Sequence, residues 1–301
     1  MITVAIPTYN RGAIVAETVR RLFALEPAPD AIIVVDQSAE ENPALSRWHR
    51  QGRIRLIRLD APSIPHAMNE ALLAAETPVL LYLDDDVEPA PGLIAAHERA
   101  QADEAIWATV GQILQPGETP QHHDQPEDDL EFRFNHDSGR YVTNVMAGNL
   151  SVKRDRAIGI GGFDENFVGV AYRFETDFAL RLAAAGGKIW FSPDAGLRHL
   201  KLSSGGLRSF GDHRSSPSPA HSAGDYYFAI HHRPPLWRYA IRRLRKNVAT
   251  RYHLRHPWAI PTKLIGELRG ILLARRLARG GPTLIGRNGG YAGRVPTGTA
   301  R

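Results

Sequence analysis

Short apolar runs recur roughly every 25 residues along the first third of the chain: Thr3–Ile6, Ala31–Val35, Ile54–Leu59 and Val79–Leu83. All are rich in Val, Ile and Leu and most show no polar alternation, the pattern of strands buried on both faces. The stretches between them carry helical spacing. Ile14–Leu25 points Glu17 and Arg20 outward, Pro43–Arg50 is weaker, and Ala67–Ala75 follows. Strand alternating with helix predicts an α/β fold with a doubly wound, mainly parallel sheet. In such sheets ligands bind beyond the carboxyl ends of the strands.

Three of those ends are informative. Pro7-Thr8-Tyr9-Asn10-Arg11 follows the first run, Asp36-Gln37-Ser38 the second, and Asp84-Asp85-Asp86 the fourth. Any strand must end in polar turn residues, so one such end means little. Three adjacent carboxylates repel one another, however, and the arrangement asks for a cation.

The pattern breaks at residues 115–140, a polar stretch rich in Pro, Gly and acids that reads as a long loop. His122 and His123 lie within it. Sequence neighbours rarely turn both rings to one ion, so these histidines are expected to be solvated rather than metal-bound. Order resumes with Tyr141–Met146, Gly148–Val152 and Gly161-Gly162-Phe163-Asp164-Glu165. A helix from Phe174 to Ala185 then stops at Gly186-Gly187. Glu175 falls in its first turn, where the helix dipole favours a carboxylate and one is commonplace. A further strand, Lys188–Phe191, leads through Pro193-Asp194 to Arg198-His199.

Composition narrows the class. With 301 residues, 43% hydrophobic and 23% charged, the chain can bury one large core, or one core and an appendage. It has no cysteine, which excludes disulfides and thiolate metal sites and fits a reducing cytoplasm. No apolar stretch reaches the ~18 residues of a spanning helix, and no signal peptide opens the chain, so a soluble or surface-bound cytoplasmic protein is expected. Charge is unevenly spread. Residues 226–301 hold 16 Lys or Arg against one acid, Glu267; the first 225 hold 21 against 31 acids. An acidic body with a basic tail suggests different partners for the two parts.

Taken together, these motifs resemble the family-2 glycosyltransferases of the GT-A fold, over about residues 2–200. Val4-Ala5-Ile6-Pro7-Thr8-Tyr9-Asn10-Arg11 is similar to the family's donor-binding start, and Val34-Val35-Asp36-Gln37-Ser38 to its second-strand motif, whose aspartate meets the nucleobase. Leu83-Asp84-Asp85-Asp86 resembles the Asp-x-Asp motif. Gly161–Glu165 and the helix after it resemble the acceptor half.

The resemblance implies a GT-A domain over 1–215, with a donor half at about 1–114 and an acceptor half at about 141–200. A basic, mostly helical extension would occupy 216–301. The implied donor-binding residues are Pro7, Thr8, Tyr9, Arg11, Asp36, Asn69, Asp84 and Asp85. Asp84, Asp86 and His199 would hold Mg²⁺ or Mn²⁺. Members commonly show Glu-Asp at the start of the acceptor helix, where this chain has Phe174-Glu175. Glu175 is therefore the expected general base, with Asp177 the second candidate. The donor would be a UDP-, dTDP- or GDP-sugar and the acceptor a saccharide or lipid-linked hydroxyl, with inversion, in polysaccharide or glycolipid assembly.

Two other readings stay open. Asp84-Asp85-Asp86-Val87 also resembles the nucleophile motif of haloacid-dehalogenase-like phosphatases, although that family places it on its first strand. A catalytically inactive nucleotide-sugar-binding protein on the same fold is the other. The tail carries a question of its own. Ile241, Leu244 and Val248, interleaved with Arg242, Arg243, Arg245 and Lys246, suggest a basic amphipathic helix; Ile265, Leu268, Ile271, Leu272 and Leu273 suggest another. These helices either cap the core with their apolar faces or dock on an anionic membrane at its inner face. No nucleic-acid-binding motif accompanies the charge.

Overall fold

The computed structural model describes residues 1–123, 132–201, 206 and 211–286. The first third follows the alternation of its sequence: β1 (Ile2–Thr8), α1 (Gly12–Phe23), β2 (Ala31–Asp36), α2 (Pro43–Arg50), β3 (Arg55–Arg58), α3 (Ile64–Ala74) and β4 (Val79–Leu83). Side-chain caps fix two helix starts. Asn42 accepts from the Ala44 and Leu45 amides, and Ser63 accepts from that of His66.

Strand order runs β3-β2-β1-β4, all parallel. Both faces are buried. Ala5, Ile33, Val35, Leu80 and Tyr82 enter one core cluster, while Val4, Ile6, Ile32, Val34, Leu81 and Leu83 enter the other. That explains the missing polar alternation.

Beyond β4 the sheet becomes mixed. The chain continues through β5 (Val87–Pro89), α4 (Leu93–Gln101), β6 (Ile106–Leu114), β7 (Arg140–Val142) and β8 (Asn149–Lys153), then α5 (Arg154–Gly159), α6 (Phe174–Ala184) and β9 (Lys188–His199). β8 lies antiparallel between β4 and β6, β9 lies parallel to β6, and β5 and β7 pair antiparallel with β9. β9 is far longer than Lys188–Phe191, and its end carries His199 back to β5, immediately after the acidic triplet.

The C-terminal part is helical: α7 (Ala223–His232), α8 (Leu236–Val248), α9 (Arg251–Arg255) and α10 (Ala259–Ala278). α7 sends Tyr226, Tyr227 and Phe228 into the same core cluster as Phe163 and Phe178. A buried ionic network ties the other helices to it. Arg243 of α8 pairs with Asp225 and, at 2.8 Å, with Glu267 of α10, which also holds Lys263 at 2.8 Å. Arg243 is thus an internal group rather than part of a solvated basic face.

Candidate active site

The polar ends of β1 and β4 open into a cleft of about 290 Å³. Among its lining residues are Pro7, Thr8, Tyr9 and Arg11 from the first end and Asp84, Asp85 and Asp86 from the other, with His199 facing them. One carboxylate oxygen each from Asp84 and Asp86 and one nitrogen of His199 lie within 4.8 Å of one another. His199 Nε2 stands 3.0 Å from Asp86 Oδ1 and 3.9 Å from Asp84 Oδ2, while its Nδ1 meets Gln115 Oε1 at 3.1 Å. Gln115 thereby fixes the ring so that Nε2 points at the carboxylates. The hydrogen bond to Asp86 raises the pKa of His199 above its ordinary value, against the effect of burial.

Part of the positive charge that the triplet asks for comes from the chain itself. Arg11 Nη1 donates to Asp86 Oδ2 at 3.1 Å, and its Nε lies 3.7 Å from Asp85 Oδ1. Asp85 accepts from Thr8 Oγ1 at 2.7 Å. Burial pushes the Asp85 carboxyl up to about 7, opposed by Thr8 and Arg11.

Glu175 stands in the first turn of α6, and Oε1 accepts the Ala147 amide at 2.6 Å. Ala147 itself lines the cleft, and Glu175 stands behind it rather than among the lining residues. The next residue, Gly148, lies so close to Asp84 that a Cβ there would fall 2.5 Å from Oδ2. Glu175 and Asp84 therefore flank the same two backbone units. Burial, with the Asp84 charge adding to it, raises the Glu175 pKa to about 7; the Ala147 amide and Arg173 act the other way. Ala171 and Arg173, which lead into α6, both adopt left-handed φ, at 53° and 76°. Such backbone costs of order 1–3 kcal/mol at each non-glycine position and needs support from its surroundings. Arg173 has it: Nε donates to the buried Asp225 at 3.4 Å.

The other expected residues sit elsewhere. Asp177 is buried against Arg181 Nε and His232 Nε2, both at 2.8 Å. Burial alone would raise its pKa, but these two partners hold it below the ordinary value. Asp36 binds Arg58 and the Ser38 amide and lines an adjoining cavity of about 750 Å³ that also touches Thr8. Asn69 is locked to Phe163 and Glu165 through both ends of its amide and does not line the cleft. His122 and His123 turn to different partners, Asp137 and Asn135, as solvated neighbours would. Gln115, Ala147 and Arg173 were not expected from the sequence. Gln115 carries no motif, and an amide donor such as that of Ala147 leaves no mark on residue identity.

Comparison with known proteins agrees with this fold. The family model described as "Glycosyl transferase family 2" matches residues 3–159. No curated protein sequence matches the chain. Residues 1–349 of S. aureus TarS, solved in complex with UDP-GlcNAc, superpose with a TM-score of 0.59 at 13% identity, covering 92% of this chain and 82% of that one. Mannosyltransferase PcManGT from Pyrobaculum calidifontis, in complex with GDP-Man and Mn²⁺, gives 0.56 at 20% identity, covering 93% and 79%. GalNAc-T7 with UDP, GalNAc and Mn²⁺ gives 0.57 at 14% identity; the match covers 78% of this chain but only about half, 52%, of GalNAc-T7. At such identities the likeness is one of fold, and that fold is GT-A.

Proposed function

Because the chain belongs to glycosyl transferase family 2, we propose that it moves a sugar from a nucleoside-diphosphate donor to an acceptor hydroxyl, with inversion, in polysaccharide or glycolipid assembly. One observation carries this reading: Asp84, Asp86 and His199 converge on a cleft that Ala147 also lines, and Ala147 holds Glu175. Two carboxylates are hard oxygen ligands suited to Mg²⁺ or Mn²⁺, and Gln115 leaves Nε2 of His199, a borderline nitrogen donor, directed at the site, so the residues fit such an ion. When bound, the ion offsets the negative charge that develops on the departing diphosphate.

The chain's own groups do the rest. Thr8, Tyr9 and Asp85 line the space for the donor, and Asp36 borders the adjoining cavity where a base would lie. Arg11 adds a fixed positive charge beside the diphosphate. Glu175 takes the acceptor's proton as the acceptor oxygen bonds to the anomeric carbon and the bond to the diphosphate breaks. A carboxyl with a pKa near 7 is well matched to that task at neutral pH. A single displacement of this kind inverts the anomeric centre. Asp177, already bonded on both oxygens, orients α6 through Arg181 and His232. A saccharide or lipid-linked acceptor at the inner face of the membrane completes the reading.

A donor screen tests it. One UDP-, dTDP- or GDP-sugar should raise the melting temperature when Mn²⁺ is present and not when it is chelated. The absence of any such shift, with hydrolysis of a phosphomonoester instead, would return the site to the phosphatase reading.

A further inference from the structure

α10 is built the wrong way round for a helix that caps a core. The side packed on α7 carries Gly266, Gly270 and Ala274, together with the paired charges Lys263 and Glu267. A Cβ on Gly270 would sit 2.0 Å from Ser222 Oγ, and one on Gly266 would sit 2.7 Å from Ser216 O, so small residues are what the contact admits. Ile271 and Leu277 pack against the core, but a row of large apolar residues faces out. Trp258 is 71% exposed, Ile265 45%, Leu268 58% and Leu272 57%, and their spacings of seven, three and four residues keep them along one side. From Trp258 to Leu272 the stripe runs about 21 Å at 1.5 Å per residue. It then continues into Arg276 and Arg279, flanked by Arg269 and Arg275, all exposed.

We propose that this face docks in the interface of an anionic lipid bilayer, with the stripe among the headgroups and upper acyl chains and the arginines on lipid phosphates. Charge decides the occupant. Between Arg233 and Arg279 there are thirteen Lys or Arg and one acid, and that acid, Glu267, is buried with Arg243 and Lys263. A second copy of the chain would bring two cationic surfaces together, whereas an anionic leaflet complements one. A tryptophan at the head of the stripe suits the boundary between water and hydrocarbon. No helix among the described residues is long and apolar enough to cross a membrane, so the face lies on the bilayer. Docking deepens the reading above by bringing the cleft to a lipid-linked acceptor, and rests on it for that purpose only.

Sedimentation with vesicles of phosphatidylcholine alone, or mixed with phosphatidylglycerol, tests the proposal. The full chain should pellet with the mixed vesicles, be released as salt rises, and largely ignore the neutral ones. Leu268→Ser with Leu272→Ser should weaken binding at least about tenfold, since each exposed leucine loses its apolar burial. Arg275→Gln with Arg276→Gln should weaken it about fivefold per cation removed. Both pairs are solvent-exposed, and an unchanged donor-dependent melting shift in Mn²⁺ will show that fold and cleft are intact. Failure of the full chain to bind mixed vesicles at low salt overturns the proposal. So does undiminished binding by the leucine variant, or a dimer in solution that this variant converts to monomer. Vesicle binding without any donor shift would leave docking standing and remove the transfer reading.

Discussion

At the residue scale the cleft is a balance of like charges held apart by few partners. Asp84 is 52% exposed and has no bond to Arg11, so Asp84→Asn should abolish the Mn²⁺-dependent donor shift and leave the metal-free melting temperature nearly unchanged. Asp86→Ala should also abolish transfer, but it strips the buried Arg11 of its 3.1 Å partner and should lose about 3 kcal/mol in urea unfolding as well. Glu175 separates chemistry from stability. Its pKa rises from 4.5 to about 7 on folding, so the proton is held more tightly in the native state. The stability this contributes is present below about pH 4.5 and lost as pH rises through about 7. Glu175→Gln should therefore melt above the parent at alkaline pH and match it in acid, while transfer falls by roughly 10²-fold or more. In the parent, kcat/KM should drop as pH falls below about 7. Residue identity pointed to the Asp84–Asp86 triplet, because three adjacent carboxylates call for a cation, whereas His199 and Glu175 were singled out only through the resemblance to the family. It could not reveal Gln115, 84 positions away from His199, or the amide of Ala147.

At the scale of elements, β1 to β4 and their helices were legible because each strand is apolar on both sides and each helix on one. β6 was not. Its buried Thr109 and Gln112 interrupt the apolar run, and they find partners only in the folded state: Gln101 Nε2 reaches Thr109 at 3.2 Å, and Gln112 Nε2 donates to the His136 carbonyl at 2.6 Å. α10 misleads in the opposite sense, since Leu264, Leu268 and Leu272 stay exposed while the helix packs through glycines, Ile271 and Leu277. Gly270→Ala tests that packing. Alanine favours an isolated helix by up to about 1 kcal/mol over glycine, yet here the new methyl meets Ser222 and the Ala223 backbone. The variant should lose about 1–2 kcal/mol in urea unfolding; a gain would mean that α7 and α10 do not meet so closely.

At the scale of the whole molecule, the basic C-terminal helices and the acidic body share one interior. Tyr226, Tyr227, Phe228 and Ile285 lie in the core cluster that also holds Phe163 and Phe178. Deleting residues 226–301 should therefore give an aggregated product rather than a trimmed enzyme, as a solubility assay on expression will show. Expected stability loss on removing even one such aromatic is about 3–5 kcal/mol.

The line of charge from Arg173 through Asp225 to Arg243 and Glu267 has a consequence for recombination. A chimera that keeps this body and borrows another member's C-terminal helices breaks the line at Asp225. Arg173 would then lose the Asp225 carboxylate that meets it, two positions before Glu175. The smallest segment that can be exchanged intact thus begins ahead of Arg173, and inheritance of the tail is inheritance of the turn that presents Glu175.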